Sequence, residues 1–183
     1  SSMEENDVMA PSAESIIRQV LYGTHYFRRE FGFSSREYIL PDCFGFPASL
    51  PSILAHCGLK GFSTQKLSWG SAIGIPFNLG VWDGPDGQSL IAALNPGDYV
   101  SKISGDLTQN EIWMKRVKDN GQKYGVYADY MYYGTGDVGG APDENSVINL
   151  EKSLASSRES EIKIAASKAE DLFVAITPEQ KQK

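Results

Sequence analysis

EYILPDCFGFPASLPSILAHCG, residues 37–58, reads as a short apolar strand, then an acid, a tight turn and a helix. The acid, Asp42, stands where a buried strand leaves the core, and a charge there is costly unless it is solvated, paired or used. On local pattern alone a turn residue or helix cap is the commoner explanation, because aspartate serves readily in both. The helix that follows spans residues 47–60, with Pro47 near its start and Gly58 past its end, where each residue suits the backbone. GFSTQKL, residues 61–67, supplies a second strand. Strand, turn, helix and strand make one βα unit, and the rest of the chain extends it.

Upstream, Ile16, Ile17, Val20, Leu21, Phe27 and Phe31 recur at helical spacing between Ser12, a plausible N-cap, and Gly32, a stop. Downstream, two β-rich runs flank Asp83-Gly84-Pro85-Asp86-Gly87, which predicts a hairpin inserted between barrel-type units. TQNEIWMKRVKDNGQKYG, from residue 108, reads as an amphipathic helix carrying Ile112, Trp113, Met114 and Val117 and ended by Gly121. VYADYMYYGTGD, residues 126–137, reads as an aromatic strand delivering a second acid, Asp137, into a glycine-rich turn. A helix over 144–157, a strand over 160–167 and a closing helix over 168–177 complete the pattern.

Strands alternating with helices predict an α/β fold with parallel strands. In such folds the working face lies at the C-terminal ends of the strands. Asp42 and Asp137 both fall there, about a hundred residues apart in sequence. Two carboxylates on one face are what glycoside hydrolysis requires, one as nucleophile and one as acid/base.

Composition narrows the function classes. The 183 residues, 41% apolar and 22% charged, suit one globular domain with a real core. A net charge of -6 without a basic run argues against nucleic-acid binding. Apolar runs are too short for a membrane-spanning segment. The opening SSMEENDVMAPSAES has no signal-peptide core, and the compartment stays open. Cys43 and Cys57, fourteen positions apart, fit no metal spacing and read as two buried free thiols, with a single disulfide as the alternative.

ILPDCFGFPASLPSILAHCGLKGFSTQKLSW, residues 39–69, resembles the nucleophile region of the glycoside hydrolase family 38 α-mannosidases, where L-P-D-x-F-G and T-Q-K-L-x-W recur. YYGTGDVGGAP (132–142), PSAESIIRQVLYGTHYFRREFG (11–32) and FNLGVWDGPDGQSLIAAL (77–94) are similar to its glycine-rich loop, preceding helix and hairpin. The likeness runs in the right order over almost the whole chain. It implies part of a (β/α)7-type barrel acting on an α-mannoside or mannose-rich glycan by a retaining double displacement. Asp42 matches the aspartate that is both nucleophile and zinc ligand, and Asp137 matches the acid/base. Phe44, Gln65, Lys66 and Trp82 sit in matching motifs and are expected at the sugar pocket, although ordinary packing or strand-end hydrogen bonding accounts for each as well.

Two departures shape the expectation. The family holds one zinc ion with an H-x-D pair and a late histidine as well, whereas this sequence has no H-x-D, and its two histidines, His25 and His56, match no ligand motif. Val138 and Ala141 stand where the family's loop is usually glycine. A barrel takes about 250 residues, so residues 1–183 are expected to be the middle of a catalytic domain, without its early and late barrel segments and inactive alone. A non-catalytic glycan-binding or interaction protein derived from the family is the alternative. A metal-dependent carbohydrate deacetylase fits less well, because no histidine matches a ligand motif. Oligomeric state is not legible.

Overall fold

Helix α1, Ala13–Phe31, starts where the Ser12 side chain accepts the Ser15 N–H and ends where Gly32, at φ 76°, turns its N–H back to Arg28 O, the expected pair of caps. The computed structural model describes residues 1–68 and 74–176. Ile16, Val20 and Gly23 form the buried face of α1. A Cβ at Gly23 would come within 2.4 Å of the Ser2 backbone, so its missing side chain lets the first residues of the chain lie across the helix.

Next come β1 (Glu37–Ile39), α2 (Leu50–His56) and β2 (Gly61–Ser63), followed by a 3-10 turn at Lys66–Ser68. The hairpin strands are β3 (Leu79–Asp83) and β4 (Ser89–Ala93). Helices α3 (Glu111–Tyr124), α4 (Glu144–Ser156) and α5 (Asp171–Ala175) follow; α3 continues through Gly121, where the sequence reading ended it, and stops at the left-handed Gly125. One sheet has the order β1-β2-β4-β3. Strands β1, β2 and β4 are parallel, with Tyr38 opposite Phe62 and Phe62 opposite Ala92; β3 runs antiparallel to β4, with Val81 opposite Ile91.

The two-residue strand period divides the side chains between two layers. Tyr38, Leu40, Phe62, Leu90, Ala92 and Leu94 pack with Ile16, Val20, Leu50 and Leu54 of α1 and α2. On the opposite face Leu79, Ile91 and Ala93 pack with Val126 and Phe173. Glu37 is fully buried there, accepting from Ser63 Oγ, with the Tyr130 hydroxyl 3.5 Å from Oε2. Burial pushes its carboxyl up to about 7. The Tyr132 hydroxyl donates to Ser63 Oγ at 2.5 Å.

The α/β class and the hairpin agree with the sequence reading, while three features of it need correction. The hairpin is no insertion outside the sheet: β4 pairs with β2 as a parallel strand. Residues 126–137 and 160–167 are not strands; the strands among the described residues form one four-stranded sheet. A strand exists only where a neighbour offers a ladder. The 126–137 segment instead crosses the second face of the sheet and gives Tyr132 N–H to Pro96 O and Gly134 N–H to Ser101 O. In the other segment Ile164 O accepts from the Ser157 hydroxyl, and Lys163 Nζ caps the carbonyls of Ser157, Arg158 and Ser160. Cys43 and Cys57 are free but half-buried rather than buried. Trp69, which closes the T-Q-K-L-S-W motif, and Thr177 of the expected closing helix lie outside the described residues. No described helix is long and apolar enough to cross a membrane.

Candidate active site

Parallel strands bring their following residues to one edge of the sheet. Asp42 follows β1, Gln65 and Lys66 follow β2, and residues 95–99 follow β4. Asp42 is oriented by its own N–H, which donates to Glu5 Oε1 at 2.9 Å. The Lys66 ammonium stands 2.5 Å from Asp42 Oδ1, and this ion pair raises the lysine's pKa and keeps it charged. Oδ1 is shielded from solvent, yet 42% of the Asp42 side chain is exposed, so the carboxylate presents its other edge outward.

Lys66 also joins the two acids. Its Nζ lies 5.3 Å from the centre of the Phe44 ring and 5.9 Å from that of Tyr99, both within cation–π range. The Tyr99 hydroxyl donates to Asp137 Oδ1 at 3.0 Å. Gln65, only 1% exposed, accepts the Tyr99 N–H on Oε1 at 2.8 Å, while its Nε2 has no acceptor among the described residues. An amide donor at this depth needs an acceptor.

Asp137 is the one non-glycine residue with positive φ, 65°, among the described residues. Aspartate tolerates that region better than most side chains. The loop is anchored at Gly134 and braced by Thr135 Oγ1, which donates to Ala141 O at 2.8 Å. At Gly136 an added Cβ would lie 1.9 Å from the Tyr99 ring. The glycine therefore gives the aromatic ring its seat against the loop.

Of the residues selected from sequence, Asp42, Phe44, Gln65, Lys66 and Asp137 gather in this cluster. Phe44 is 87% exposed, its ring turned to solvent. Trp82 stands apart: it packs edge-on against Phe62, ring centres 5.2 Å apart, and pairs across the hairpin with Leu90. His56 lies at the opposite end of the sheet, where its Nε2 pairs with Asp86 of the hairpin turn at 2.8 Å. A cleft of about 1170 Å³ adjoins the cluster through Tyr99 and Pro41 and continues along Trp113, Tyr130 and Tyr132.

Tyr99 is the residue that sequence reasoning missed. It follows a parallel strand, β4, whose place in the sheet is hidden when the hairpin is read as an insertion.

The residues present do not by themselves fit a zinc ion. Asp42 Oδ1 is engaged by Lys66, and no three His, Cys, Asp or Glu side chains gather among the described residues, whereas catalytic zinc takes three protein ligands.

The model of the family described as Glycosyl hydrolases family 38 N-terminal domain matches residues 1–183. Alpha-mannosidase G of Dictyostelium discoideum is 38% identical over 138 residues, 75% of this chain and 12% of that protein. Human alpha-mannosidase 2C1 is 33% identical over 178 residues, 97% of this chain and 16% of that protein. The chain thus spans about an eighth to a sixth of these relatives. In fold it is similar to an alpha-mannosidase from Enterococcus faecalis V583, with a TM-score of 0.65 and 19% identity over 95% of this chain and 20% of that one.

Proposed function

Because the chain belongs to the N-terminal domain family of the family 38 glycosyl hydrolases, we propose that the complete polypeptide carrying it is an α-mannosidase. It would release terminal α-linked mannose from a mannoside or mannose-rich glycan, with Asp42 and Asp137 as the acid pair of a retaining site. The observation that supports this most is the Asp42–Lys66–Tyr99–Asp137 cluster, which links carboxylates from distant parts of the chain at one sheet edge.

The steps follow from the carboxylates. Asp42 attacks the anomeric carbon through its outward oxygen while Asp137 gives its proton to the glycosidic oxygen. The carbon–oxygen bond to the leaving group breaks, and a mannosyl ester forms on Asp42. Water then attacks the same carbon, loses a proton to Asp137 and frees Asp42, with configuration retained. Lys66 balances the charge on Asp42 in the free site and its departure as a leaving carboxylate. Phe44 offers an exposed ring for the apolar face of a sugar, and Gln65 Nε2 a donor for a hydroxyl; Trp82 contributes through the core beneath them. The zinc ion implied by the resemblance is assigned only to a complete polypeptide that adds further ligands to Asp42, and no step here is routed through it.

The test is to treat the complete polypeptide with a fluorinated mannosyl fluoride, which slows ester hydrolysis, and to map the adduct by mass spectrometry. The sugar is expected on the peptide containing Asp42. A label on any other residue, or inverted mannose as product, would overturn the assignment.

A further inference from the structure

Resting on the acid-pair reading above, we propose that Tyr99 is a positioning residue for Asp137, holding one carboxyl oxygen so that the other faces the glycosidic bond. Three observations carry this. The Tyr99 hydroxyl donates to Asp137 Oδ1 at 3.0 Å. The Tyr99 backbone is itself fixed, since its N–H donates to the buried Gln65 side chain at 2.8 Å and Asp98 Oδ1 accepts the Val100 N–H at 3.1 Å in the same turn. Gly136, next to Asp137, leaves room for the ring at a place where a Cβ would overlap it.

The loop needs such a support. An exposed aspartate among Gly134, Gly136, Gly139 and Gly140 has little side-chain packing of its own to fix it, and glycine gives the backbone unusual freedom. A proton donor must nevertheless be held to within about half an ångström of its productive position. With Oδ1 accepting from Tyr99, the transferable proton resides on Oδ2, and it moves from there to the leaving oxygen and returns there from water. Tyr99 gives up no proton itself. The contact to Asp137 raises the phenol's pKa, so the hydroxyl stays a donor throughout.

Gln65 thereby acquires a second task. It fixes Tyr99 through Oε1, so the end of β2 sets the position of the acid/base as well as supplying Lys66 to Asp42.

Two measurements test the proposal. In tyrosine-labelled protein, the Tyr99 ring, assigned by its loss in Tyr99→Phe, should titrate above an ordinary phenol and move down in Asp137→Asn. A ring signal indifferent to Asp137 would overturn the contact. In the complete polypeptide, Tyr99→Phe should lower kcat/KM roughly 10- to 100-fold for alkyl mannosides, and less than about threefold for a dinitrophenyl mannoside whose leaving group needs no proton. Gly136→Ala should show the same leaving-group pattern. An equal loss across leaving groups would mark a merely structural tyrosine and overturn its role. Absence of wild-type turnover on every α-mannoside would instead overturn the mannosidase reading from which that role follows.

Discussion

Lys66 and Asp42 form an ion pair of 2.5 Å that bridges the ends of two neighbouring parallel strands, with the lysine side chain 7% exposed. A cation so enclosed sets the orientation of its carboxylate as well as balancing its charge. Lys66→Met should therefore leave the circular dichroism spectrum unchanged and reduce turnover of an aryl mannoside by roughly tenfold or more. Lys66→Arg, which keeps the charge with a different geometry, should recover only part of that loss. Full activity in the methionine variant would show that the pair is incidental.

The two acids should separate under mutation. Asp42→Asn removes the nucleophile and is expected to abolish turnover for every leaving group. Asp137→Asn should cost about 10²–10⁴-fold where the leaving oxygen needs a proton, and much less with an activated aryl group, when the mannosyl ester should accumulate. Quenched-flow mass analysis of the ester distinguishes the two. Identical leaving-group dependence in both variants would contradict the division of labour.

Stability should fall with rising pH because of Glu37. Its folded value, about 7, lies above its ordinary 4.5, chiefly through burial, so the folded protein binds this proton more tightly than the unfolded chain. The corresponding stability is complete below 4.5 and is lost as pH rises through 7, on the order of 3 kcal/mol in all. Urea midpoints at pH 5 and pH 8 should differ accordingly, and Glu37→Gln should remove most of the difference. Parallel pH profiles for both proteins would show that Glu37 is not the group responsible.

Arg116 grips Asp129 with two hydrogen bonds of 2.8 and 3.1 Å, gives a third to Asn95 O at 2.6 Å and lies 4.1 Å over the centre of the Trp113 ring. Asp129 is almost wholly enclosed. Asp129→Ala leaves a buried guanidinium without its anion and should destabilise by about 3–5 kcal/mol, whereas replacing both partners with apolar residues should cost less. Chemical denaturation of the single and double variants decides it: a double variant no more stable than Asp129→Ala would show that packing, and not charge, sets the cost.

Purified as residues 1–183, the chain should retain no stoichiometric zinc after dialysis, since a single carboxylate already paired with Lys66 is a poor site. Metal analysis of wild type and Asp42→Asn should give the same low value. One zinc per chain that disappears in the variant would reveal a ligand set not recognised above.

Legibility from sequence followed the range of the physics involved. Ser12 and Gly32 cap a helix through contacts a few residues away, and Asp83-Gly84-Pro85-Asp86-Gly87 makes its turn locally, so both could be read directly. The tyrosine-rich run at 126–137 has strand-like side chains, but its fate depends on distant partners: Tyr130 and Tyr132 reach Glu37 and Ser63, and the backbone bonds to a loop. No local pattern carries that information. In the site, Asp42 could be found because it follows a strand visible in the sequence, and Lys66 through the motif that carries the family resemblance. Tyr99 could not, because its position depends on β4 pairing with β2 rather than only with its hairpin partner.

That pairing also orders events in time. Strand β2 gains its second neighbour only from β4, which is made thirty residues later and separated from it by all of β3. When residues 1–183 are made by themselves, β1 and β2 form a two-stranded parallel pair until β4 emerges, too small to persist. The ribosome must therefore release residues through Ala93 before the sheet can close on its core, and α1 and α2 have no complete surface to dock against until then. A nascent chain arrested before β4 should be open to protease along β2, and one arrested after Leu94 has cleared the exit tunnel should be protected.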